Sequence, residues 1–181
     1  MSLFNRAEVI DENFISFLNA EKFPQAQTNL KLNQTNIRSS DLISIFESQI
    51  MSRHIDLKAR SLKDEGKCFY TIGSSGHEGN AVFGSVFPYT DTAFLHYRSA
   101  PFFLERSKQI DATTALYDMA LSFMASSDDP ISGGRHKVIG SKLLNIPPQT
   151  STIASHLPKA VGMAFSINLS KSLNISNQES K

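Results

Sequence analysis

Phe69-Tyr70-Thr71-Ile72-Gly73-Ser74-Ser75-Gly76-His77-Glu78 is the stretch on which the fold turns. With Cys68 before it, its first half is short, aromatic and β-branched, which predicts a strand or extended segment over 68–72. The glycine-rich turn Gly73–Gly79 follows. A helix is expected next, using Ala81, Val82, Phe83 and Val86 and ended by Pro88, whose ring cannot continue it. An extended segment entering a helix through a glycine turn offers free amides to an anion. The spacing is neither G-x-G-x-x-G nor G-x-x-x-x-G-K-[ST], so no nucleotide fingerprint is present. A plain structural turn, with Ser74, Ser75 and His77 capping the helix, stands beside the anion reading.

Upstream, residues 41–65 predict a helix of about 25 residues, or ~37 Å at 1.5 Å per residue. Ser40 is the expected N-cap, Asp41 suits the positive end of the dipole, and Gly66 suits a left-handed C-terminal position. Leu42, Ile43, Phe46, Ile50, Leu57 and Leu62 line one face, while Arg53, Lys58, Arg60 and Lys63 take the rest. Before it, Val9, Ile10, Phe14, Phe17 and Leu18 recur at helical spacing over 7–20. Residues 22–40 are polar and aperiodic, and read as a linker or extended arm, or as a disordered lead-in.

Downstream, Thr92 to Arg98 reads as a second extended piece, and 99–109 and 111–125 read as helices. Ser126 to Pro148 is irregular, punctuated by Gly133, Gly134, Gly140, Pro147 and Pro148. A loop that long inside a compact domain is usually functional or disordered. The last element, 151–171, is rich in Ala154, Ala160, Gly162, Ala164 and Ser166, so a closely packed helix is expected, with Pro158 starting or kinking it. Two regions result: an N-terminal helix and arm over 1–39, and a main domain over 40–181.

Composition bounds the function. In 181 residues, 18 Lys+Arg against 17 Asp+Glu leave a net charge of +1, without the basic stripe of a duplex-reading face. Apolar residues make up 40% of the chain, enough for a core. No run approaches the ~18–20 apolar residues of a bilayer span, and the start Met1-Ser2-Leu3-Phe4-Asn5-Arg6 does not read as a secretory signal. The single cysteine, Cys68, forms no internal disulfide, and no Cys/His cluster has zinc-site spacing. Neither nucleic acid nor membrane is an expected partner. The expected compartment is cytoplasmic, or the mitochondrial matrix in a eukaryote, although no transit peptide is evident.

Among chemistry-bearing residues, Tyr97-Arg98 ends an extended segment before a helix and presents a bidentate cation beside a hydroxyl, a phosphate-binding combination. An arginine paired with Glu105 or Asp91 is the bland counterpart. His54, His77, His96, His136 and His156 are scattered, and no Ser-His-Asp arrangement follows from their order. Gly133-Gly134-Arg135-His136-Lys137 places three potential cations on a loop, near an anionic ligand or simply in solvent.

Taken together, the long basic-faced helix, the 69–78 stretch, His96-Tyr97-Arg98, Gly133-Gly134-Arg135 and Thr150-Ser151-Thr152-Ile153-Ala154-Ser155-His156-Leu157-Pro158-Lys159-Ala160-Val161-Gly162 resemble a known family. Their order and spacing over residues 40–171 are similar to the N-terminal part of the alpha subunit of thiamine-diphosphate-dependent 2-oxo acid dehydrogenases, of branched-chain (2-oxoisovalerate) or pyruvate type. The resemblance implies an α/β fold: the helix-rich, incomplete N-terminal portion of a thiamine-diphosphate-binding, doubly wound parallel-sheet domain. It implies oxidative decarboxylation of a 2-oxo acid, with the acyl group passed to a lipoyl-bearing acyltransferase. A beta subunit, or a fused beta half, supplies the glutamate that activates the cofactor, and an oligomer is expected.

Carried over by position, the resemblance gives Tyr97 and Arg98 the cofactor's diphosphate, and Ser151 and Ile153 contacts to the cofactor, Ile153 replacing the family's Leu. Some members bind potassium at positions matching Thr150, Thr152, Ser155 and His156. Here His and Thr stand where the family often has Gln and Pro, and no metal ligand is assigned. The family's substrate-side histidine falls at Val138-Ile139-Gly140, so no catalytic residue is assigned either. Its magnesium motif, Gly-Asp-Gly…Asn, is absent up to Lys181, so magnesium is expected to be held by residues beyond it. The chain then reads as part of a longer polypeptide, inactive alone. The competing expectation is a non-catalytic anion-binding or assembly module that keeps the fold without the magnesium motif. Phe69, Phe102 and Phe103 hint at a branched acyl group on the substrate side.

Overall fold

The 26-residue helix Ser39–Asp64 is the axis on which the other elements are assembled. It is described by a computed structural model covering residues 5–25, 30–69, 73–111, 113–135, 138–149 and 152–175. The described residues form helices α1 (Arg6–Asn19), α2 (Ser39–Asp64), α3 (Asn80–Val86), α4 (Ala100–Ser107), α5 (Ala115–Phe123) and α6 (His156–Ser172), with a short 3-10 turn at Leu32–Gln34.

Helix α2 ends as expected: Gly66 takes φ +73°, a conformation that costs glycine little. Its start differs. Arg38, not Ser40, is the N-cap, and the helix begins at Ser39. Asp41 Oδ2 accepts from Arg38 N–H (3.3 Å), and the Arg38 guanidinium reaches both Asp41 oxygens at 2.8 and 3.0 Å. That pairing occupies an exposed donor and holds the Asp41 carboxyl below its ordinary range.

The buried face of α2 is also not the expected one. Leu42, Ile43 and Phe46 are exposed, and the inward stripe is Ser48, Ser52, Asp56, Leu57 and Ala59. Small and polar residues at i, i+4 and i+8 let neighbouring backbone come close, and each polar group finds a partner in α4 or in the glycine turn. Ser48 Oγ donates to Glu105 Oε2 at 2.7 Å and Ser44 Oγ to Oε1 at 3.2 Å.

Helices α3 and α4 form the most extensive contact, followed by α2 and α4. Gly84 makes the α3–α4 approach possible: a Cβ there would lie 2.5 Å from the Phe102 carbonyl. Around this seam Phe102, Phe103, Leu104, Met119, Phe123, Ile139, Leu144 and Ile146 form the core. Burying each such large side chain contributes about 1.5–3 kcal/mol. Phe102 and Phe103 are therefore core residues, 7% and 3% exposed, rather than a substrate wall, while Phe69 is 79% exposed. Arg106 is fully buried beside them. Its guanidinium lies 5.0 Å from the Phe102 ring and donates to the carbonyls of Pro88 and Leu144. Burial lowers its pKa, partly offset by Asp91.

The fold is helix-rich, as expected, but among the described residues no strand forms. Residues 70–72 lie outside the described set, and 68–69 and 92–98 are irregular. Between Thr92 and Arg98, Ala93 N–H to Asn145 O is the backbone tie to another segment, and one tie is no ladder. Among the described residues the one bridge is Ser141 with Ile146, which closes a small loop.

The last helix contradicts its expected packing. α6 starts at His156, with Pro158 in its first turn where a missing N–H costs nothing, but none of its residues is buried. Its glycine meets no neighbour: a Cβ on Gly162 would find no atom within 4 Å.

Candidate functional site

The glycine turn is clamped to α2 from below. Ser74, 2% exposed, donates both its N–H (2.6 Å) and its Oγ–H (2.8 Å) to Asp56 Oδ2, and its hydroxyl also contacts Ser52 Oγ. Only glycine fits at 73, since a Cβ there would overlap Asp56 Oδ2 at 2.5 Å. The turn closes by His77 N–H to Ser74 O (2.8 Å) and Asn80 N–H to His77 O (3.0 Å), which delivers the chain into α3.

On its other side the turn receives Arg98. Nη1 donates to Gly73 O at 2.5 Å, and the guanidinium carbon stands 5.3 Å from the Tyr97 ring centroid. Arg98 is thus tied to the turn, not to Glu105 or Asp91. Glu105 is engaged by Ser44, Ser48 and Lys108 (3.2 Å). A tight turn sets the segment: Ser99 N–H donates to His96 O (2.9 Å), and His96 N–H to Ser99 Oγ (3.2 Å).

His96 is the centre of the arrangement. Its ring lies 3.8 Å from that of Tyr97, 6.1 Å from His77 and 5.8 Å from His156, the first residue of α6. Its Nδ1 accepts the Arg98 N–H at 3.3 Å, which in the neutral ring leaves the proton on Nε2. The pKa of His96 is lowered, first by burial and then by the positive charges of His156, His77 and Arg98. Three segments far apart in sequence therefore bring imidazoles and a guanidinium together. None of the ion pairs among the described residues includes any of these groups. Cationic and potentially cationic groups that no described carboxylate pairs with can meet an external anion.

The residues singled out from sequence fall as follows. Tyr97 and Arg98 are half-buried in this cluster. Ser151 lies outside the described residues, as do Thr150, His136 and Lys137. Ile153 is 76% exposed. Ser155 Oγ accepts from Gln149 Nε2 (2.7 Å) and donates to Thr152 O (2.8 Å), so both it and Thr152 are engaged internally. Arg135 is exposed, donating to Ser132 O (3.3 Å). His54 sits 3.9 Å from Asp11 across the α1–α2 contact.

Sequence reading missed the histidine cluster. His77, His96 and His156 each stand in a stretch it had quoted, but nothing in their spacing signals that those stretches meet. It also missed the Asp56–Ser74 clamp, whose one signal is the polar period Ser48, Ser52, Asp56.

The residues present fit a diphosphate group: one guanidinium, a phenol hydroxyl and three imidazoles without a competing acid. Among the described residues no group of three or more His, Cys, Asp or Glu side chains is placed to hold a metal ion. Among the same residues no helix is long and apolar enough to cross a membrane. No family model matches the chain.

Proposed function

We propose that this chain supplies the diphosphate-anchoring side of a thiamine-diphosphate-dependent 2-oxo acid dehydrogenase, of 2-oxoisovalerate or pyruvate type. The enzyme oxidatively decarboxylates a 2-oxo acid and passes the acyl group to a lipoyl-bearing acyltransferase. The observation that carries the reading is the Arg98–Gly73 bond with His77, His96 and His156 gathered beside it, one guanidinium and three imidazoles at a glycine turn. In this reading Arg98 and Tyr97 hold the diphosphate, and Ser151 and Ile153 contact the cofactor from the segment leading into α6.

Bound thiamine diphosphate supplies the nucleophilic carbon and electron sink that decarboxylation requires. The chain's own contribution is positional. Arg98 is fixed by Gly73 O and stacked near Tyr97, so its remaining N–H groups meet a phosphate with little further loss of rotamer freedom. His96, whose Nδ1 accepts the Arg98 N–H, keeps its Nε2–H as a donor for phosphate oxygens. Magnesium is left to residues outside those described, and the glutamate that activates the cofactor to a beta subunit.

A second reading, a non-catalytic assembly module that keeps the fold, draws on α6. Leu157, Val161 and Phe165 are 56%, 70% and 66% exposed along a helix with no buried residue. Calorimetric titration of the chain with thiamine diphosphate and magnesium separates the two. Saturable binding that Arg98→Ala weakens by about 1.5–3 kcal/mol, the worth of a charge-assisted bond, supports the enzyme reading. Equal affinity in that variant rejects it.

A further inference from the structure

A cavity lies against the glycine turn, between α1, α2 and residues 73–75, with a volume of about 190 Å³. That is well above the ~10–15 Å³ one water needs. Ile10 and Leu57 give it apolar walls; Arg53, Asp56, Arg60 and Ser75 give it polar ones. Arg53 and Arg60 stand three residues before and four after Asp56, so all three share one side of α2.

Helical neighbours at these spacings ordinarily pair, yet neither arginine forms an ion pair with a described carboxylate. Asp56 is engaged instead by Ser74, through two bonds that both fall on Oδ2. Asp11, the α1 acid that reaches α2, lies against His54. The cavity is therefore lined by two arginines and by one aspartate whose Oδ1 Ser74 leaves unused, a net charge of +1.

We infer that this cavity binds a small organic carboxylate, its oxygens on Arg53 and Arg60 and a hydroxyl or ammonium of the same molecule donating to Asp56. The fork of a guanidinium matches carboxylate oxygens, and a single negative charge balances the site. A phosphate dianion overcharges it and meets the Asp56 carboxylate at close range. Ile10 and Leu57 suit a short apolar body. The inference does not rest on the cofactor reading: it is argued from Arg53, Arg60 and Asp56, and the two places share only the backbone of Gly73.

The test is an NMR titration of the full 181-residue chain with lactate, with acetate and inorganic phosphate as comparison probes. Lactate is expected to give saturable shifts at the amides of Gly73 and Ser75 and along residues 53–60. Acetate, lacking the donor for Asp56, binds more weakly. The double variant Arg53→Ala/Arg60→Ala raises the lactate dissociation constant about tenfold or more, the equivalent of ~1.4 kcal/mol. Arg60 is exposed, so Arg60→Gln keeps the fold in any event, and a several-fold loss is expected from it alone. The inference is overturned by an unsaturable lactate response, by affinity unchanged in Arg60→Gln, or by phosphate outcompeting lactate at Ser75.

Discussion

Helices α4 and α6 are both rich in apolar residues, and they end in opposite environments. All eight residues of α4, Ala100–Ser107, are buried, Glu105 and Arg106 included. In α6, His156–Ser172, none is, although Leu157, Val161, Phe165, Ile167 and Leu169 lie along it. Burial here follows from what each helix meets, not from what it is made of. α4 meets α3 through Gly84 and α2 through Ser44 and Ser48, so its backbone is enclosed, and its two charged side chains find carbonyls and hydroxyls at hand. Among the described residues, the ring contact that ties α6 to another segment is at its first residue, where the His156 ring approaches His96.

The largest expected effect sets one phenylalanine against another. Phe103→Ala removes a ring from the centre of the core and is expected to cost about 3–5 kcal/mol of unfolding free energy, measured by urea denaturation. Phe165→Ala removes a ring that is 66% exposed and is expected to stay within about 0.5 kcal/mol. Comparable losses at the two positions mean that α6 is covered in solution, by the chain itself or by a second copy.

A glycine pair sharpens the same contrast by sign. Gly84→Ala forces a Cβ against the Phe102 carbonyl and the Glu105 side chain, and overpacking of this kind costs about 1–3 kcal/mol. Gly162→Ala adds a Cβ in open space on a helix, where alanine is favoured by about 0.5–1 kcal/mol. Thermal denaturation is expected to move down for the first and slightly up for the second. A destabilising Gly162→Ala breaks the comparison and returns to α6 the close packing that its small residues suggest.

That suggestion shows where sequence stops. Periodicity and punctuation located α1, α2 and α3, because Gly66 and Pro88 fix ends by local backbone chemistry. They misplaced the inward face of α2, because Leu42, Ile43 and Phe46 outweigh Ser48, Ser52 and Asp56 in any hydrophobic pattern. What decided that face was hydrogen bonding to Glu105 and Ser74, 57 and 22 residues distant from Ser48 and Ser52. Tyr97 and Arg98 stood out from sequence by residue type alone, whereas the carbonyl that holds Arg98 and the rings around His96 are long-range facts. The same limit applies to 92–98: its composition suits a strand, but a strand requires a neighbour, and the described neighbour there is one carbonyl of Asn145.

The smallest expected effect lies where the two helices come closest, His96 before α4 and His156 at the head of α6. Burial and the charges of His156, His77 and Arg98 hold the His96 pKa below its ordinary 6.5 in the folded chain. Between that lowered value and 6.5 the unfolded chain binds the extra proton and the folded chain does not, so the urea midpoint rises with pH through this window. The contribution is complete above pH 6.5 and is lost as pH falls through the folded-state value. His96→Gln is expected to flatten the slope between pH 5.5 and 7.5. His156→Gln removes the larger of the neighbouring charges and raises the His96 titration seen by NMR. An unmoved His96 titration in His156→Gln means that α6 does not keep its first turn against the histidine cluster. The contrast between the two helices then extends to the last point at which they meet. Added pyrophosphate acts in the opposite direction, raising the His96 pKa and binding more tightly at pH 5.5 than at 7.5, because an anion in the pocket rewards the proton that the empty pocket repels.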